Sequence, residues 1–161
     1  MSVVTIVSVA GTLIGIVAGV LAIHRYYHPE AKAEIVNPTH LSENGGRHLT
    51  VSVSVPRRRR QTVYWIAIQP DDCRADGKWW PQNRPLTFQK EGSASLGKVR
   101  LGREGPDGTR DVGKTFTVGL FEVREGAQGT FSEFADRDDP MVPPAECKLV
   151  HSVEVRRVAN N

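Results

Sequence analysis

The sequence predicts an all-β domain, an antiparallel β-sandwich of about seven strands, behind one N-terminal transmembrane helix. Three observations lead there. Residues 3–23, VVTIVSVAGTLIGIVAGVLAI, contain no charged side chain. Beyond Pro29, apolar residues recur at every second position in short runs separated by Gly, Pro, Asn and Asp, which is the period of a half-buried strand. No helical pattern in this part is long enough to cross over between parallel strands.

The first stretch has the length of a membrane span. About 21 residues at 1.5 Å rise reach about 31 Å, the thickness of a bilayer's hydrocarbon core. A secretory signal would open with positive side chains and carry a shorter apolar run, whereas Met1 and Ser2 bring none, so an anchor is favoured. Val20-Leu21-Ala22 and Ala31-Lys32-Ala33 still have the form of cleavage triplets, and a cut there would leave an exported soluble domain. No Lys or Arg precedes the span, while Arg25 and Lys32 follow closely, which places the C-terminal domain in the cytoplasm. Tyr26 and Tyr27 suit the headgroup level at the exit point. Gly11, Gly15 and Gly19 recur every four residues, giving a flat face on which a second helix can approach, so a homodimer through the membrane helix is expected. The chain thus divides into residues 1–27 (helix and interfacial flank), 28–32 (linker), 33–158 (sandwich domain) and 159–161 (tail).

Charge and cysteine usage narrow the chemistry. A net charge of +3 fits a membrane surface but is also ordinary for a soluble domain. There are two cysteines, Cys73 and Cys147, with no CxxC pair, which argues against a zinc site or a disulfide-dense scaffold. Gly113-Lys114-Thr115 lacks the earlier glycine of a phosphate-binding loop. His24, His28, His40, His48 and His151 are scattered, and His151 reads as half-buried rather than catalytic. No catalytic residue, cofactor or metal is expected.

In chain order, residues 33–37 form a short strand and 37–46 are turn material. Leu49, Val51, Val53 and Val55 alternate with Thr50, Ser52 and Ser54 in a strand with one wet face. Pro56 and the run Arg57, Arg58, Arg59, Arg60 end it. Residues 62–69 (TVYWIAIQ) are apolar on both faces, as in a central strand covered on both sides, with Trp65 as its largest core candidate. An acidic loop leads to Lys78-Trp79-Trp80-Pro81-Gln82. Residues 86–89 and 95–101 read as strands, 102–113 as a glycine-rich turn, 115–123 as a strand, 127–136 as a short helix using Phe131 and Phe134, and 149–158 as the closing strand.

An immunoglobulin-like order of these strands is the leading arrangement, with a small barrel as the alternative. It puts the start of the first strand, the arginine loop and the loop before the last strand at one end, facing the membrane. There Arg57 to Arg60 would meet anionic lipid, each contributing about 1 kcal/mol, or would pair with Glu125, Glu133, Asp136, Asp138, Asp139 and Glu146 of the late insertion. The aromatic groups of a nucleic-acid platform are missing nearby, so no specific nucleic-acid partner is expected. Cys73 and Cys147 fall at opposite strand ends, about 25 Å apart, far beyond the Cα separation of about 7 Å that a disulfide tolerates. Trp79 and Trp80 lie in the loop at the far end and must point opposite ways, one indole into the core and one to the surface. With Gln82 they are the candidate partner-binding residues, against the plainer reading that both cap the sandwich.

The succession YWIAIQP, WWPQ, DVGKTFTVGLFEV and LVHSVEVRRV resembles small bacterial Ig-like domains carried by membrane-anchored proteins, over residues 33–158. The resemblance implies a recognition or scaffolding module and supplies no catalytic residues. The expected protein is a single-pass membrane-anchored, non-enzymatic module presented to the cytoplasm to an unknown protein partner. The alternative is an outward-facing adhesive or sugar-binding module.

Overall fold

Alternation along residues 62–70 sets the architecture, because side chains on the two faces of one central strand enter two different cores. The computed structural model describes residues 32–89, 92–102 and 111–159. The apolar stretch 3–23, with Gly11, Gly15 and Gly19, and the pair Tyr26 and Tyr27 lie outside them. Among the described residues no helix is long and apolar enough to cross a membrane.

The strands are β1 (Glu34–Asn37), β2 (Ser42–Gly45), β3 (His48–Ser54), β4 (Thr62–Pro70), β5 (Trp80–Pro81), β6 (Ser93–Arg100), β7 (Thr115–Arg124) and β8 (Cys147–Val158), with one helix, α1 (Gln128–Arg137), between β7 and β8. They form a three-stranded sheet, β1-β3-β6, and a five-stranded sheet, β2-β8-β7-β4-β5. Tyr64, Ile66 and Ile68 of β4 meet Val51, Val53, Val55 and Leu96 of the smaller sheet in the core between the sheets. The intervening Trp65 and Ala67 face the other way and join Phe121, Val123 and the helix residues Phe131 and Ala135. The result is two sheets in a sandwich-like arrangement with a helix over the outer face of the larger one, and β4 is covered on both sides as its composition required.

The helix falls one residue from its expected limits. It ends where Asp138 adopts the left-handed conformation (φ 57°, ψ 33°) and its N–H, with that of Asp139, turns back to Ala135 and Phe134 carbonyls; aspartate is among the few residues that tolerate this conformation.

Two expectations are corrected. Residues 42–45 (SENG), read as turn, form β2, which pairs parallel to the end of β8 with Ser42 opposite Val155 and Gly45 opposite Val158; backbone pairing overrides a poor strand composition. Residues 86–89 form no strand. Leu86 donates its N–H to the Tyr64 carbonyl (2.8 Å), but Pro85 before it has no N–H to give, and the pairing of β5 with β4 does not continue as a strand here. The β1–β2 segment crosses from one sheet to the other and is stitched to β8 by two imidazoles. His151 Nδ1 accepts the N–H of Ile35 (3.2 Å) and His40 Nδ1 accepts that of Glu154 (3.1 Å).

One end of the domain gathers the start of β1, residues 55–61, the end of β7 and the start of β8, since Glu34 lies opposite Ser54, Thr62 opposite Arg124 and Val123 opposite Cys147. Cys73 follows Pro70 at the other end, where Pro70 lies opposite Phe116. Both thiols are free, as their separation demands.

Candidate functional site

At the end of the domain away from β1's start, a cleft of about 310 Å³ opens between the β5 side of the larger sheet and the end of β6. Its size sits at the lower limit of small-molecule sites. Its apolar wall is Trp80, Phe116, Ile68 and Pro70, and its polar wall includes Gln82, Cys73, Arg47, Arg100, Lys114 and three aspartates.

Successive residues of the extended chain at β5 point opposite ways. Trp79 goes to the helix side, is 8% exposed, and meets Phe121 edge-on at 5.0 Å. Trp80 stays half-buried and lines the cleft. The sequence expectation of one indole inside and one at the surface describes this pair.

Gln82 also lines the cleft. It is buried, its Oε1 accepts the N–H of Arg100 (2.9 Å), and its Nε2 donates to the Trp80 carbonyl (3.3 Å). Both ends of the amide are thus occupied in fastening β6 to the segment that carries Trp80. Gln82→Leu should remove both bonds at similar volume and leave the Arg100 N–H without its partner, at a cost of about 1–3 kcal/mol. Urea unfolding would read the loss, and stronger acrylamide quenching would report a loosened Trp80.

Among the described residues, Arg47, Arg100 and Lys114 line the cleft together with Asp72, Asp111 and Asp138. Arg100 pairs with Asp138. Lys114 Nζ lies 2.9 Å from Asp111 Oδ1 and 3.3 Å from Asp72 Oδ2; hydrogen bonds to Asp111 and then Asp72 hold its ammonium above the usual lysine range. Gly102, at φ 78°, leaves room for the Asp111 carboxylate beside it, where a Cβ would collide. Beneath them Arg157 is buried and donates to the Leu101 carbonyl (3.1 Å). Just outside, Arg74 joins Asp71 (2.9 Å) and Glu154.

Burial pushes the Cys73 thiol up, and the neighbouring Asp72 carboxylate adds to the shift. Because the thiolate is the nucleophile, this environment is the reverse of an activated cysteine's. Among the described residues no group of three or more His, Cys, Asp or Glu side chains could hold a metal ion.

The arginine run lies at the opposite end. Arg57, Arg58, Arg59 and Arg60 are all exposed; Arg59 pairs with Glu122 (3.2 Å) and the Arg58 guanidinium sits 5.3 Å over the Phe88 ring. The carboxylate that meets Arg59 is on β7. Of the insertion's acids, Glu133 pairs with Arg137 within the helix (2.8 Å), and Asp138 reaches Arg100 in the cleft.

Of the residues that line the cleft, sequence reasoning singled out Trp80 and Gln82 but not Arg47, Cys73, Arg100, Asp111, Lys114 and Asp138. These come from separate segments whose convergence no local spacing encodes. Comparison with known protein families finds no family model that matches the chain, and comparison with characterised proteins finds no significant match.

Proposed function

We propose that this protein is a membrane-anchored recognition module: an Ig-like domain, tethered through residues 3–23, that receives its ligand in the cleft beside Trp80. The observation that carries the reading is the position of that cleft. The chain enters the domain at β1, and β1 begins at the end of the domain opposite the cleft.

The Ig-like assignment draws on strand order. If β1, β2, β3, β4, β5, β6, β7 and β8 are named A, A′, B, C, C′, E, F and G, the sheets read A-B-E and A′-G-F-C-C′, in the manner of an immunoglobulin sandwich with C′ added to the GFC sheet. The core differs from an antibody domain's. Trp65 on the C-equivalent strand packs under α1 rather than between the sheets, and the cysteines form no bridge.

Recognition is favoured over catalysis by the state of the cleft's reactive groups. Its lysine is tied to two carboxylates and burial pushes its thiol up, away from the thiolate, an environment that does not activate either as a base or nucleophile. The exposed arginine run at the entry end suits contact with an anionic leaflet, and the four-residue spacing of Gly11, Gly15 and Gly19 in the sequence suits association with a second copy.

The tether is tested by alkaline carbonate extraction. The full chain is expected to stay in the membrane pellet, and a chain lacking residues 1–31 to move to the supernatant; release of the full chain would remove the anchor. Orientation is read by a membrane-impermeant maleimide in intact cells. The cytoplasmic reading expects labelling of Cys73 only after permeabilisation, and labelling before it would place the module outside.

A further inference from the structure

We infer that His40 and His151 form an acid-released clasp: two neutral imidazoles hold the crossing segment of residues 35–41 against β8, and protonation of the rings lets it go. This clasp lies on the first passage of the chain from one sheet to the other and is independent of what the cleft binds.

Both bonds need the uncharged ring. His151 Nδ1 accepts the N–H of Ile35 (3.2 Å), and His40 Nδ1 accepts that of Glu154 (3.1 Å). A neutral imidazole whose Nδ1 accepts carries its hydrogen on Nε2, whereas an imidazolium carries one on each nitrogen and has no lone pair to offer. Protonation therefore does more than cancel the two bonds, because it sets an N–H of the ring against an N–H of the backbone. Histidine is the side chain whose ordinary titration, at about pH 6.5, makes such a change between neutral and mildly acidic solution. The bonds are present above that range and lost as pH falls through it.

The two rings act on one short connection. β1 is paired separately with β3, and β2 with the end of β8, so what the rings hold is the stretch between. Ile35, at its start, is 6% exposed and belongs to the core between the sheets. At its end Leu41 donates its N–H to the Glu154 carbonyl (2.7 Å), and His40 takes the N–H of the same residue. A backbone donor thus satisfies one polar group of Glu154 and a ring nitrogen the other.

The connection is held against its own preference. Leu41 has φ 59°, a left-handed conformation that a bulky side chain rarely adopts. Such strain persists only where the surroundings over-determine it. With its side chain 67% exposed, Leu41 is fixed by its backbone bond and by the neighbouring His40 rather than by packing. Loss of the ring bonds releases strain as well as cancelling attraction, so mild acid loosens the segment by which the chain enters the domain.

Charged side chains on the adjoining elements are Glu34 on β1, Glu43 on β2, Glu122 on β7, and Lys148, Glu154 and Arg156 on β8. Glu43 lies opposite Arg156, Glu122 is joined to Arg59 and Glu154 to Arg74. Among the described residues no carboxylate forms an ion pair with either imidazole, so none compensates a protonated ring for the bond it loses.

The test uses the full chain in phospholipid nanodiscs, with residue-resolved hydrogen exchange at about pH 7.5 and about pH 5.5, each rate corrected for the intrinsic pH dependence of amide exchange. Carboxylates in their ordinary range stay ionised over this interval, so imidazoles are the groups that change. Protection of the Ile35 and Glu154 amides should fall about tenfold or more on acidification, while that of β4 and β7 stays constant. In the double variant His40→Asn with His151→Asn, whose Oδ1 can accept at the place of Nδ1 without titrating, protection should be the same at both pH values. NMR of isotope-labelled histidine in the unmodified chain should show both rings carrying their hydrogen on Nε2 at the higher pH.

Unchanged protection of either amide overturns the clasp, as does a fall of equal size in the double variant, which would name another group as the sensor. A fall that extends to β4 and β7 would be acid unfolding of the whole domain and would equally overturn it. If the double variant fails to fold, the unmodified chain still decides, because a ring with its hydrogen on Nδ1 at the higher pH could not accept the backbone N–H and would end the proposal.

Discussion

Phe131→Ala is expected to lower the unfolding free energy by about 3–5 kcal/mol, a large part of the 5–15 kcal/mol typical of a domain. Phe131 is fully buried, 5.6 Å from the Trp65 ring and 5.9 Å from Phe121. On α1 only Phe131 and Ala135 are buried outright, so one side chain supplies most of what holds the helix to the sheet. Its removal leaves a void that neither the small Ala135 nor the half-buried Phe134 can fill. The consequence reaches beyond the helix, because the indole of Trp65 loses its cover. Urea unfolding of the variant measures the loss directly, and hydrogen exchange should show reduced protection along β4 and β7. A loss below about 1 kcal/mol with unchanged exchange would mean that α1 is an appendage rather than a layer of the fold.

This second core was partly legible in the sequence. The unbroken apolar run of residues 62–69 required cover on both faces, and Phe131 with Phe134 marked a short helix, but nothing local said that this helix was the cover. Strand identity followed period two wherever one face was wet, as at Leu49, Val51 and Val53. It failed where the pattern was short or polar. Residues 42–45 form β2 only because the exposed edge of β8 lies alongside them, information that resides in the tertiary fold. The cleft was least legible, since Arg100 ends β6, Lys114 precedes β7 and Asp138 follows α1. Trp80 was the exception, because alternation along an extended chain is itself a local rule.

Gly119→Ala, a single added methyl in the middle of β7, is expected to destabilise the domain by about 1–3 kcal/mol through overpacking. A Cβ at this position would lie 2.6 Å from Trp79 Cζ3 and 3.0 Å from both Leu149 Cδ1 and Phe121 Cε2. Glycine within a strand marks close approach of another group, and here the group is the indole of Trp79. That ring has little freedom to yield, being held edge-on against Phe121 and by paired backbone bonds to Met141, each 2.8 Å. Displacing it also disturbs the cleft, because Trp80 is the next residue on the same extended backbone and faces the opposite side. A double-mutant cycle isolates the cause. In a Trp79→Leu background, where the smaller side chain can withdraw, Gly119→Ala should be milder, giving a coupling of about 0.5–3 kcal/mol. Equal losses in the two backgrounds would exclude the Trp79 clash and assign the effect to Leu149 and Phe121. With coupling present, acrylamide quenching of Trp80 should rise in Gly119→Ala alone, tying the packing of the helix-side core to the geometry of the cleft.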